Sequence, residues 1–183
     1  MCGIIGLLAK HNIDIKLFLI NGLKQLQNRG YDSAGISLSN SSNSFETLKF
    51  ASTHTEPSLK KLENELKNKD ITLSQIVNIG IGHTRWATHG AKTDENSHPH
   101  ISFDEKVILA HNGIIENYSE LKNMLISKGI PFKSETDTEV ISNLIAYYYQ
   151  EDSVNFIEAI QTTLNKLERT WGLVIINRDT PDK

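Results

Sequence analysis

The stretch Cys2-Gly3-Ile4-Ile5-Gly6-Leu7-Leu8 supports two readings at once. As a pattern it opens a buried strand, in which a small cysteine packs as readily as any apolar residue. As chemistry it is unusual, because Cys2 is the only cysteine and stands directly behind Met1. Loss of Met1 would place a thiol and a free α-amine on one residue. Cysteine attacks as thiolate, and an α-amine of pKa about 7.7 to 8.0 can take the thiol proton near neutral pH and later return it. A two-step acyl transfer is then available, whereas a retained Met1 would move the base one residue away and leave the protein inactive.

Outward from this strand, Ile15, Leu19, Leu23 and Leu26 recur every three to four residues and predict a helix over 13–28. Arg29-Gly30-Tyr31-Asp32-Ser33-Ala34-Gly35 breaks that pattern with turn formers before a strand at 36–39. Residues 40–43 read as a hairpin turn and 45–50 as its return strand. Pro57 suits the first turn of a helix over 57–68 whose inner face is Leu59, Leu62 and Leu66. A strand is expected at 77–82, and 84–97 reads as a long polar loop of the kind that carries function. Beyond it come a strand at 106–111, a helix at 119–128 ended by Gly129, and a helix at 137–149 started by a Thr136/Glu139 capping box. A helical pattern over 154–167 and a strand at 171–176 complete the chain. Hairpins mixed with helices point to an α+β fold with antiparallel or mixed sheets covered by helices.

The 183 residues suit one domain, large enough to bury roughly 70% of its unfolded surface without a covalent staple. With 38% apolar residues, 22% charged residues and a net charge of −3, bulk charge attracts neither nucleic acid nor anionic membrane. The short apolar run at 4–9 has Lys10 and His11 behind it rather than basic residues before it, so it does not read as a secretion signal. No apolar stretch approaches the roughly 20 residues that span a bilayer. A single cysteine forms no internal disulfide, and the expected location is the cytoplasm.

His83, His89, His98, His100 and His111 crowd one short stretch. His98 and His100, two apart, could share a zinc ion, but neither HExxH nor paired cysteines accompany them. Bonds to loop backbone explain the cluster more simply, and no metal or other cofactor is expected. His89 or His111 could also serve as the base of a papain-like site. Asn112-Gly113, between two apolar runs, is a strong hairpin signal. The same pair could form an oxyanion hole, with Asn112 offering its side-chain amide and Gly113 a backbone N–H with no side chain in the way. Arg85 in the polar loop and Asp137 at a helix start have ordinary surface and capping roles available. Together they would also meet the carboxylate and ammonium of an amino acid.

Taken in order, Cys2-Gly3-Ile4-Ile5-Gly6, the 29–35 segment, His83-Thr84-Arg85-Trp86-Ala87-Thr88-His89-Gly90, His98-Pro99-His100, His111-Asn112-Gly113-Ile114-Ile115-Glu116-Asn117 and Ser134-Glu135-Thr136-Asp137-Thr138-Glu139-Val140 closely resemble the glutaminase domains of the glutamine:fructose-6-phosphate amidotransferases. The likeness covers nearly the whole chain, and Asn28, where the family often has an aromatic residue, is a minor departure. The 29–35 and 83–90 forms resemble this hexosamine branch of the class II glutamine amidotransferases more than the purine or asparagine branches.

The resemblance implies an N-terminal nucleophile hydrolase fold, a four-layer αββα sandwich with two mainly antiparallel sheets, and residues 1–183 as one glutaminase domain. It implies L-glutamine as substrate and Cys2 as nucleophile and base. Asn112 and Gly113 become the oxyanion hole, Arg85 the carboxylate clamp and Asp137 the ammonium clamp. Thr88 and His89 would line the glutamine pocket, and Trp86 would sit on the loop that closes over it. It further implies a sugar-phosphate isomerase domain absent from this chain and leaves room for a homodimer in the full-length enzyme. The polar tail 178–183 would be a linker, and the chain alone would release ammonia to solvent.

Overall fold

The computed structural model describes residues 2–11, 13–39, 44–69, 78–87, 90–150 and 154–181. Strand β1 (Gly3–Ala9) leads into helix α1 (Ile15–Leu26), then β2 (Ser33–Ser39), β3 (Phe45–Ala51), α2 (Ser58–Asn68) and β4 (Asn78–Arg85). A two-residue β5 (His100–Ile101) precedes β6 (Val107–Gly113), α3 (Tyr118–Ser127), α4 (Asp137–Tyr149), α5 (Phe156–Leu164) and β7 (Trp171–Asn177). The first sheet runs β1-β4-β2-β3 and the second β5-β6-β7, with every described pair antiparallel.

Side-chain alternation builds the layers. On β2, Ala34, Ile36 and Leu38 face α1 and α2 and join Leu19, Leu23, Leu59 and Leu62 in one buried cluster. Ile79 and Ile81 of β4 turn the other way and meet Ile108, Ala110 and Ile176 of the second sheet. The outer face of β6 presents Val107 and Leu109 to Val140, Ile141 and Leu144 of α4. Three apolar clusters thus fill the three spaces of a helix, sheet, sheet, helix stack, as the resemblance implies. Between the isoleucines of β4, Gly80 and Gly82 admit α1 closely; a Cβ at Gly80 would sit 2.9 Å from Leu19 Cδ1.

Most predicted elements are present with shifted ends. β2 begins at Ser33, so the 29–35 turn is shorter than its glycines suggest. β4 runs on to Arg85 and β6 to Gly113, each three or two residues past the apolar run that announces it. Asn112-Gly113 is therefore no hairpin turn: it pairs with Gly172 and Trp171 of β7. Pro57 caps α2 rather than entering its first turn. Thr136 caps α4 by accepting the Glu139 amide, but the Glu139 carboxylate accepts from the Lys133 and Ser134 amides instead of closing a capping box. The reciprocal box occurs at α5, between Asn155 and Glu158. The expected turn at 40–43 lies outside the described residues, and β5 is too short to leave a periodic signal.

Gly35 shows how tightly the 84–97 loop's far end is seated. A Cβ there would fall 2.2 Å from the His98 carbonyl oxygen and 2.6 Å from Lys49 Cβ. Backbone cannot yield as a flexible side-chain tip does, so Gly35→Ala is expected to cost about 1 to 3 kcal/mol in urea unfolding. An unchanged midpoint would show that the loop shifts freely.

Candidate active site

Cys2, Arg85 and Asn112 meet because they occupy inward-facing ends of strands from both sheets. The β1–β4 register pairs Gly3 with Thr84, so one further step sets Cys2 opposite Arg85. Asn112 comes from β6 of the facing sheet, and its Oδ1 accepts the Cys2 backbone N–H at 3.4 Å. The Cys2 thiol is half-buried and lies against the Trp86 backbone, whose N–H donates to Sγ at 3.3 Å and whose carbonyl is 3.7 Å away. Burial pushes the thiol pKa up; the Trp86 backbone bond and the Arg85 charge pull it back, while Asp137 adds to the rise.

The Trp86 segment is fastened by Asp32. Its Oδ2 accepts the Ala87 N–H at 2.9 Å, Oδ1 pairs with Lys92, and its own N–H donates to the Arg85 carbonyl at 3.0 Å. Trp86 is 46% exposed, and its ring stands edge-on to Tyr31 at 5.5 Å. Arg85 is only 3% exposed and its Nη1 donates to the Ala91 carbonyl at 3.4 Å. Burial lowers the guanidinium pKa against the opposing pull of Cys2, Asp32 and Asp137, and an arginine stays charged through such a change.

Asp137 is the first residue of α4, where the positive end of the helix favours a carboxylate. Oδ2 accepts the Ile115 N–H at 3.0 Å and Oδ1 the Thr138 hydroxyl at 3.4 Å. Behind it lies the histidine cluster. His83 and His98 stack with centroids 4.1 Å apart, and His83 Nε2 donates to the His111 carbonyl at 3.0 Å. His98 Nδ1 accepts the His111 N–H, while its Nε2 reaches Thr138; His100 Nε2 meets Thr136 at 3.1 Å. Desolvation lowers the pKa of His83 to about 3 and those of His98 and His100 well below the ordinary histidine value, so these rings are neutral. Their bonded nitrogens serve backbone and threonine hydroxyls, His83 Nδ1 having no partner among the described residues, and among those residues no three His, Cys, Asp or Glu side chains could hold a metal ion.

Cys2, Trp86 and Gly113 lie between two openings. One is a narrow polar cleft of about 10 Å³ walled by Arg85, Asp137, Thr138 and His111. The other, of about 320 Å³, is lined by Asn112, Ile114, Arg169 and Thr170. Gly113 must be glycine here, since a Cβ would press within 2.6 Å of the Thr170 carbonyl and 2.8 Å of His111 Nε2. Six of the eight residues singled out from sequence, Cys2, Arg85, Trp86, Asn112, Gly113 and Asp137, therefore gather around these openings. Thr88 and His89 lie outside the described residues. Sequence reasoning missed the Trp86 backbone amide, the Asp32 anchor and Thr138. Only Asp32 left a signal, as the one acidic residue of the 29–35 segment.

The chain is similar to known proteins over its full length. The glutamine–fructose-6-phosphate aminotransferase (isomerizing) of Clostridium acetobutylicum is 44% identical over 183 residues, which are 100% of this chain and 28% of that protein. The protein of the same name from Methanococcus maripaludis is 46% identical over 189 residues, 100% of this chain and 29% of its own length. The chain thus spans less than a third of these curated relatives. Among solved structures, the glutamine phosphoribosylpyrophosphate amidotransferase of B. subtilis superposes with a TM-score of 0.71 at 24% identity, over 96% of this chain and 35% of that one. A structure titled as the allosteric regulatory enzyme of purine biosynthesis gives 0.74 at 25% identity over the same shares. These likenesses carry the N-terminal nucleophile fold. The family described as glutamine amidotransferase domain matches residues 47–162, and the chain belongs to it.

Proposed function

We propose that residues 1–183 act as one glutaminase domain that hydrolyses the side-chain amide of L-glutamine. The observation that carries this reading is the convergence of one thiol, one buried guanidinium and one buried carboxylate on a single narrow cleft. A guanidinium fork suits the substrate α-carboxylate and an acceptor-only carboxylate its α-ammonium, so Arg85 and Asp137 hold the two ends of the amino acid head. The Cys2 thiolate then attacks the amide carbon. The oxyanion is met by the Gly113 N–H and by the Asn112 amide, whose Oδ1 is already engaged with Cys2 N–H, leaving NH2 to point at the charge.

With Met1 removed, the Cys2 α-amine takes the thiol proton and returns it to the departing ammonia, and water hydrolyses the γ-glutamyl thioester to glutamate. No cofactor enters these steps. The cleft shares Cys2, Trp86 and Gly113 with the wider opening beside it, so the thiol can be approached from that side. Thr88 and His89 are assigned to glutamine binding in this scheme by the family resemblance alone.

In the longer protein the ammonia would convert fructose 6-phosphate to glucosamine 6-phosphate in a sugar-phosphate isomerase domain outside residues 1–183. Homodimerisation of that longer protein and a cytoplasmic location fit the same reading; among the described residues no helix is long and apolar enough to cross a membrane. Neither nucleic acid nor membrane is a partner in it.

The direct test is release of ammonia and glutamate from glutamine by the isolated chain. Absence of both from folded protein with a free Cys2 amine would overturn the proposal. Within the same assay, Asn112→Ala is expected to lower kcat by about 10²- to 10³-fold with little change in KM, the effect of losing one oxyanion donor. An equal rise in KM instead would assign Asn112 to substrate binding.

A further inference from the structure

His111 has a nitrogen with nothing to bond. The side chain is buried, its Nδ1 meets Thr138 Oγ1 at 3.1 Å, and its Nε2 finds no hydrogen-bond partner among the described residues. His111 lines the polar cleft together with Asp137, and its Nε2 lies 2.8 Å from where a Cβ at Gly113 would sit. Leaving a buried polar atom unpaired is destabilising, so such an atom on a residue that lines the cleft asks what would pair with it.

Counting donors and acceptors answers which kind of group Nε2 is. His98 Nδ1 accepts the His111 backbone N–H, so the single proton of that neutral ring is on Nε2, which donates to Thr138 Oγ1. Thr138 has one proton to give and two candidate receivers, the Asp137 carboxylate at 3.4 Å and His111 Nδ1 at 3.1 Å. The carboxylate is the stronger acceptor and is buried, with the Ile115 amide as its other donor. Thr138 therefore donates to Asp137 and accepts from both rings, which saturates its hydroxyl. His111 then carries its proton on Nδ1 and presents a bare lone pair at Nε2. Burial lowers the His111 pKa against the raising effect of Asp137, in keeping with a neutral ring.

We propose that His111 Nε2 is a second acceptor for the substrate's α-ammonium, working beside Asp137 in the cleft. An ammonium brings three N–H donors, more than one carboxylate oxygen uses, and a neutral lone pair adds an acceptor without adding charge. The Thr138 hydroxyl locks the tautomer that makes this arrangement possible. The inference rests on the glutamine reading of the cleft and deepens it.

The probes are L-glutamate, the product with the ammonium, and glutarate, which lacks it. In wild-type protein with nitrogen-15-labelled histidine, His111 should show the Nδ1–H tautomer, and its Nε2 resonance should move on adding glutamate but not glutarate. In parallel, His111→Phe should weaken glutamate binding by about tenfold or more while leaving glutarate unchanged. An Nε2–H tautomer, an Nε2 signal indifferent to bound glutamate, or equal weakening of both ligands would overturn this inference and leave the glutaminase reading standing. Failure of the wild-type protein to bind glutamate or turn over glutamine would remove both. The wild-type spectra keep the test decisive should the phenylalanine variant fail to fold.

Discussion

Lowering the pH from 7 to 5.5 should cost the folded protein about 4 kcal/mol of stability. The cause is the cluster of neutral histidines that runs from β4 to the start of α4. Burial holds His83 at a pKa of about 3 and puts His98 and His100 well below the ordinary value. In the unfolded chain each titrates near 6.5, so below that pH the unfolded state binds more protons than the folded one. Stability consequently falls as pH drops, by about 1.4 kcal/mol per unit for each ring, and three rings account for the figure given. Against a typical total of about 5 to 15 kcal/mol this approaches loss of the fold. Urea melts at the two pH values measure it directly, and a flat stability across that interval would mean the rings are charged or wet in the folded protein.

The second large effect concerns chemistry alone. Cys2→Ala is expected to cut glutamine hydrolysis by on the order of 10⁴-fold or more, because no other described side chain in the clefts can form the thioester. Glutamine should still bind through Arg85 and Asp137. Blocking the Cys2 amine, by retaining Met1 or by acylation, should cost about 10²- to 10⁴-fold, the worth of a general acid and base, while iodoacetamide still alkylates the thiol. These outcomes separate the rival mechanisms. A papain-like pair using His111 or His89 would tolerate the blocked amine; a zinc hydrolase would survive Cys2→Ala and fail with chelator. A glutamine-binding module would show no turnover to lose.

Much of this site is legible in the chain because its chemistry depends on residue types that have few other uses together. Cys2, Arg85, Asn112-Gly113 and Asp137 could each be nominated by what a thiol, a guanidinium, an unhindered amide and a carboxylate can do. Strand ends were less legible: β4 and β6 continue through His83-Thr84-Arg85 and Asn112-Gly113, polar residues that hydrophobic patterning assigns to loops. Those extensions are what deliver Arg85 and Asn112 to Cys2, so the pattern fails at the functional end of each strand, where side chains must face a cleft rather than a core. Backbone contributions leave no trace in composition either. The Trp86 and Ile115 amides act through positions that any residue type could fill, and only the fold aims them at Cys2 and Asp137.

The place of β1 in its sheet has a bearing on how such a catalyst is made. Among the described residues it is the rim strand of its sheet, bonded to β4. On the proposed mechanism, the leading methionine comes before β1 in the chain, so its removal leaves the β1–β4 ladder, which begins at Gly3, intact. Assembly and arming are then separable events, and the nascent polypeptide can finish its architecture before the exoproteolytic cut switches its reactivity on.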